Sequence, residues 1–76
     1  MATVDVKTEI TGNVWKIVAK IGDVLDEEAP ILILESMKME IPVLAEVTGT
    51  VGEVAVSVGD VITEGDVIAV IEIGGL

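Results

Sequence analysis

Shifted by 37 positions, the chain falls on itself without an insertion: Thr11-Gly12-Asn13-Val14 lies on Thr48-Gly49-Thr50-Val51, and Gly22-Asp23-Val24 on Gly59-Asp60-Val61. Val6 and Glu9 meet Val43 and Glu46, and Glu27, Ile31 and Glu35 meet Glu64, Ile68 and Glu72. Ile17, Ala19, Ile21, Leu25 and Ile33 fall on Val54, Val56, Val58, Ile62 and Val70, so the apolar pattern repeats too. The repeats run over about residues 4–35 and 41–72. Two copies are too few for a solenoid and neither can bury its apolar face alone, so the pattern predicts two similar units packed about an approximate dyad. At 76 residues, 1–76 reads as one small domain. A chain of that size buries only about 60% of its unfolded surface, which leaves little room for a deep catalytic cavity and favours a carrier or binding module.

Half of the residues are apolar, supplied by Val, Ile, Leu and Ala with Trp15 as the one aromatic. β-Branched residues suit a pleated, half-buried surface, so the expectation is all-β. Fourteen carboxylates against four lysines give a net charge of −10. That charge repels nucleic acid and anionic membrane surfaces and points to basic protein surfaces as partners. No apolar run approaches the roughly 20 residues of a membrane span, and Asp5, Lys7 and Glu9 interrupt the region where a secretory signal would lie. A cytoplasmic protein is expected. With neither cysteine nor histidine in the sequence, thiol chemistry, imidazole catalysis, disulfides and ordinary zinc sites are excluded.

Strands are expected over Val14 to Lys20 and Val51 to Val58, each preceded by Thr-Gly and followed by Gly-Asp. Gly12, Gly49, Gly22 and Gly59 are expected to supply backbone angles other residues reach at a cost, such as positive φ in a tight turn. The unbroken apolar runs Ile31–Leu34 and Val67–Ile71 read as core strands covered on both faces. Pro30 and Pro42 fit strand starts or edges. Trp15 is expected between the sheets or partly exposed near a turn, with Gly52 at its repeat-related position. Asp23, Asp26, Glu27 and Glu28 could suit a hard cation, but their spacing matches no EF-hand loop, and the reading preferred is a solvated turn.

The repeats join through Glu35-Ser36-Met37-Lys38-Met39-Glu40. Read as plain structure, the methionines continue a strand alternation toward the core and the lysine faces water. The dyad, however, demands a reversal here, and tight hairpins prefer Asn-Gly or Asp-Gly to Ser-Met-Lys-Met. Bulky side chains at an exposed turn are a local rule broken, which is expected where function intervenes.

This segment resembles the Ala-Met-Lys-Met attachment motif of biotinyl carrier domains in biotin-dependent carboxylases. The Gly12 to Gly22-Asp23 and Gly49 to Gly59-Asp60 blocks are similar to the same biotinyl/lipoyl family, so the resemblance covers nearly the whole chain. It is strongest to the small stand-alone biotin/lipoyl attachment proteins of that family. Ser36 replaces the commoner alanine and Thr11 a frequent proline, neither at the modified position. The gapless repeat leaves no room for the protruding loop of some carboxylase carriers. Met1 and the lack of an Ala/Pro-rich linker favour a stand-alone protein, although an excised domain would look the same.

The resemblance implies a flattened β-barrel, or barrel-sandwich, of two four-stranded antiparallel sheets with quasi-two-fold symmetry and Lys38 at a hairpin tip. It implies a non-catalytic biotin carboxyl carrier, whose Lys38 accepts biotin through an amide bond from a biotin protein ligase. Met37, Met39, Glu35 and Glu40 are then candidates for ligase recognition, the methionines being equally readable as packing residues. The arm of lysine stem and valeryl chain, on the order of 14 Å long, would serve a biotin carboxylase and a carboxyltransferase in turn. The carboxyl acceptor, whether acyl-CoA, keto acid or urea, stays open. A lipoyl carrier is the nearest alternative, against which Met37 and Met39 argue, since lipoyl domains resemble Asp-Lys-Ala at the site. An unmodified interaction module is another. A closed barrel with few open edges would make the chain a monomer.

Overall fold

The computed structural model describes residues 2–73. Eight strands and no helix make up the described chain: β1 Ala2–Lys7, β2 Gly12–Ile17, β3 Val24–Leu25, β4 Pro30–Ser36, β5 Met39–Leu44, β6 Gly49–Val54, β7 Val61–Ile62 and β8 Val67–Ile73. Each strand from β5 onward is one of the first four displaced by 37 residues. They form two antiparallel sheets, in the orders β1-β8-β6-β3 and β5-β4-β2-β7. Exchanging repeat-related strands turns one order into the other, which is the dyad expected from the sequence.

Hydrogen bonds from the preceding loop lengthen the short β2–β7 and β6–β3 ladders, also in dyad pairs. Val14 N–H donates to Asp60 O and Gly59 N–H to Val14 O, and Val51 N–H donates to Asp23 O and Gly22 N–H to Val51 O, each at 2.8 Å. The Gly-Asp signature has a clear local cause. Gly22 and Gly59 take φ of 94° and 95°, and the Asp23 and Asp60 carboxylates accept the N–H groups of Lys20 and Ser57. The aspartates therefore close their own turns. The same device recurs where Asp66 accepts from Thr63 N–H beside Gly65. At the position related to Gly65 the chain carries Glu28, held at φ 73°.

Gly12 and Gly49 serve differently from the expectation. Neither has a positive φ, but a Cβ on Gly12 would stand 2.7 Å from Glu35 O, and one on Gly49 2.6 Å from both Glu72 O and Ile71 Cγ2. Close strand approach, rather than a turn angle, excludes a side chain there. The strands also begin earlier and end sooner than expected. After Ile17 the Val18 and Ala19 N–H groups both donate to Ile31 O, so the ladder is lost before Lys20. β6 likewise stops at Val54.

The core lies between the sheets and is built from dyad pairs: Val14 with Val51, Ile31 with Ile68, Leu32 with Ala69 and Leu34 with Ile71, all buried. The apolar runs are not covered on both faces, because Ile33 and Val70 are only half-buried. Ile31 and Leu32 are buried in succession because the β4–β5 register slips between Pro30 and Leu32, a bulge that lets neighbours point the same way. Thr8, buried among these groups, has its hydroxyl bonded to Ile10 O at 2.7 Å.

The molecule measures 42 × 18 × 17 Å. β7 lies beside Gly12 and Asn13, at the end where β4 turns into β5, and β8 leads away from it. Ala2 and Ile73, paired in register, therefore close the end opposite the β4–β5 hairpin. The expectation of few open edges is corrected, since β1 and β5 each border a sheet along six residues. Pro30 starts β4 and Pro42 sits on the β5 edge. Counting from the hairpin, Ile33 and Pro42 form a pair that exchanges no hydrogen bonds, so the proline nitrogen faces outward, where it offers an incoming strand no donor. The related position on β1 carries Asp5.

Candidate functional site

β4 and β5 pair down to Ser36 and Met39, leaving a two-residue connection of Met37 and Lys38. Their φ values are 52° and 64°. Positive φ at both central residues is the type I′ geometry, whose twist matches the flanking strands but which favours Asn-Gly. A residue with a Cβ costs about 1–2 kcal/mol in that region, so this hairpin holds a bulky pair where folding alone would select a small one. Replacing Met37 with Asn should raise stability by about 0.5–1 kcal/mol in urea unfolding; a drop would show that the tip is not strained.

The turn projects past the core. Leu34 is the last fully buried residue of β4, Met37 is 91% exposed and Met39 63%, and Lys38 is exposed as well. Neither methionine reaches the core: the two φ inversions take Met37 out of the strand period, and Met39, although on the same face as Ile41 and Val43, lies beyond the last buried residues. Packing does not account for either methionine.

Glu35 and Glu40 stand directly opposite in the hairpin stem, both exposed. Opposed like charges destabilise a ladder. At the dyad-related place the pair is Glu72 with Thr3, so only the stem beneath Lys38 carries two acids. On the other side of β4, Glu35 faces Asn13, and the bare Cα of Gly12 lets β2 come against the Glu35 carbonyl and Ser36 Cβ. The five residues singled out from sequence thus occupy one tip. What sequence reading missed is the support: the close approach at Gly12, and left-handed backbone at Met37 and Lys38.

Trp15 is half-exposed rather than enclosed between the sheets, as the residue bulged out of β2 where register slips between Val14 and Lys16. Gly52 is the bulged residue of β6. Asp23 is engaged in its turn, and among the described residues no group of three carboxylates is placed to hold a metal ion.

Chemically, the tip presents a primary amine on a flexible stem, free of surrounding walls and held out by a rigid two-strand support. It suits acylation by a macromolecular partner and provides no cavity for catalysis of its own.

Comparison with known proteins agrees. The profile of the biotin/lipoyl family, described as "Biotin-requiring enzyme", matches residues 1–71. The "Biotinylated protein TB7.3 homolog" of Mycobacterium leprae is 55% identical over 68 residues, covering 90% of this chain and 96% of its own. The "Biotin/lipoyl attachment protein" of Bacillus subtilis is 48% identical over 40 residues, 53% of this chain and 55% of that protein. With that relative, as with the "Biotinylated protein TB7.3" of Mycobacterium bovis, where 58% is covered, the match spans little more than half the relative's length. Among solved structures, the urea carboxylase of Kluyveromyces lactis superposes with a TM-score of 0.90 at 35% identity, covering 95% of this chain and 6% of that one. A single-chain, multi-domain long-chain acyl-CoA carboxylase gives 0.83 at 26% identity, over 90% of this chain and 7% of that one.

Proposed function

Because this chain belongs to the biotin/lipoyl family, as a carrier-type domain related to components of biotin-dependent carboxylases, we infer that Lys38 is the residue that accepts biotin. The observation that carries this reading is an exposed lysine at the tip of a hairpin kept in strained φ by two bulky residues. In the step proposed, Lys38 Nζ, as the free amine, attacks the carboxyl carbon of a biotinyl adenylate held by a biotin protein ligase. The amide bond forms, AMP leaves, and the amine proton passes to a base of the ligase. Met37 and Met39 would contact the ligase with their exposed, adaptable side chains, and Glu35 and Glu40 would add polar contacts. Once bound, biotin would supply the ureido nitrogen that takes up and releases a carboxyl group. The hairpin's part is to hold the arm's root at a fixed point clear of both sheets. That raises the tethered group's effective concentration at a biotin carboxylase and a carboxyltransferase that dock in turn. Lipoylation is the second reading, disfavoured by Met37 and Met39.

Intact mass after incubation with biotin protein ligase, biotin and ATP should show one biotinyl increment, and Lys38→Arg should show none. An increment retained in Lys38→Arg, or no increment in the parent, would remove this reading.

A further inference from the structure

The repeat supplies an internal control for which surface residues folding requires. On the outer face of the β5-β4-β2-β7 sheet stand Trp15, Ile33, Pro42 and Leu44, with Ile33 paired to both Lys16 and Pro42. Trp15 is 49% exposed and Leu44 40%, and Pro42 is exposed too. The same positions on the other sheet hold Gly52, Val70, Asp5 and Lys7. One backbone therefore folds with both sets, and only the sheet that carries Lys38 keeps Trp15, Pro42 and Leu44 on its outer face, around the exposed Lys16. Nothing in the strand geometry demands it, because Asp5 and Lys7 occupy matching places in β1.

Next to this face, at the β5 edge, lies a recess of about 330 Å³ lined by Ile10, Ile41, Pro42 and Leu44, with Glu9, Glu46 and Lys7 among its walls. Apolar walls on which two carboxylates outnumber one lysine match a long side chain with an apolar stem and a cationic head. Glu35 and Glu40 border the face at the hairpin end, and the whole chain carries −10. That charge opposes pairing with a second copy and adsorption to anionic lipid, and favours a protein surface with an apolar centre and a lysine or arginine rim.

We propose that the outer face around Trp15, Ile33, Pro42 and Leu44, with the recess beside it, is a docking surface for the basic-rimmed, apolar surface of an enzyme that acts on Lys38 or its arm. This rests on the carrier reading for the identity of those enzymes. Contact here would orient the hairpin from its side, leaving the tip free to enter an active site.

The repeat also supplies the test. In the triple variant W15G/P42D/L44K each residue becomes its dyad mate, so the backbone has a precedent for every change, and net charge is unaltered because one acid and one base are added. Calorimetric titration of the parent, the triple variant and Lys38→Arg into biotin protein ligase and into biotin carboxylase reads the Kd, with circular dichroism confirming the fold. The expected result is a Kd raised tenfold or more by the triple variant toward at least one enzyme, rising with salt for the parent, and largely kept by Lys38→Arg. Unchanged Kd values, no binding of the parent to either enzyme, a parent dimer in sedimentation, or binding of the parent to anionic vesicles would each overturn the proposal. Since Lys38→Arg is read by binding and biotin attachment by mass, failure of the docking surface and failure of the attachment reading are distinguishable.

Discussion

Gly49→Ala is expected to remove about 3 kcal/mol of stability, the top of the usual range for overpacking, and to leave a domain this small barely folded at room temperature. The added methyl would meet two atoms at 2.6 Å, the Glu72 carbonyl oxygen and the Cγ2 of Ile71. Neither can give easily: the first is backbone in a strand paired on both sides, and the second belongs to a fully buried side chain in a closely packed interior. Gly12→Ala meets the Glu35 carbonyl at 2.7 Å but then only Ser36 Cβ at 3.3 Å, near the open hairpin end, so it should cost less. Urea unfolding of both variants checks the order. A Gly49→Ala chain within about 0.5 kcal/mol of the parent, the ordinary range for a surface change, would mean that β6 and β8 sit farther apart than described.

Truncating the core should reveal the dyad energetically. Leu34 and Ile71 are repeat mates, both fully buried, one central in each sheet. Leu34→Ala and Ile71→Ala should each cost about 3 kcal/mol, within the range for deleting most of a buried aliphatic side chain and leaving a cavity. The informative quantity is their difference, expected to stay within about 1 kcal/mol, the spread of context effects at similar chemistry. Should one cost several times the other, the halves would not share the core equally, despite their matching burial. Leu34→Ala should also loosen the stem below Lys38, so its rate of biotin attachment should fall further than that of Ile71→Ala.

Fold class, repeat, dyad and the placing of Lys38 at a tip were legible because they depend on pattern: residue identity at fixed spacing, and β-branched composition. Legibility ended where three-dimensional proximity decides. Gly12 and Gly49 look like turn residues because they follow threonine and precede a strand, and only the strands lying against them show that bulk is what they avoid. Met37 looked like an inward-facing member of an alternation because the period of two was carried through a point where φ changes sign, and Met39, which does share the face of Ile41, because the sequence does not mark where the core ends. Trp15 was read as lying between the sheets or partly exposed near a turn, and the bulge that decides for exposure leaves no signature beyond Gly52 at the related position. The openness of the β1 and β5 edges was hidden for a similar reason, since two four-stranded orders and one closed barrel read alike along the chain.

Ala2 and Ile73 are cross-strand neighbours, so the described chain enters and leaves through one doorway about 5 Å wide. That doorway is at the pole away from Lys38. A unit of this shape can be spliced into a loop of a larger polypeptide as a bud on a stalk, without stretching its host and without turning its lysine toward the junction. In the two carboxylases that it superposes on, the matched region is 6% and 7% of a much longer chain. The geometry thus makes free movement of the whole bud, swivelling at its base, compatible with either a separate carrier or one rooted in its enzyme.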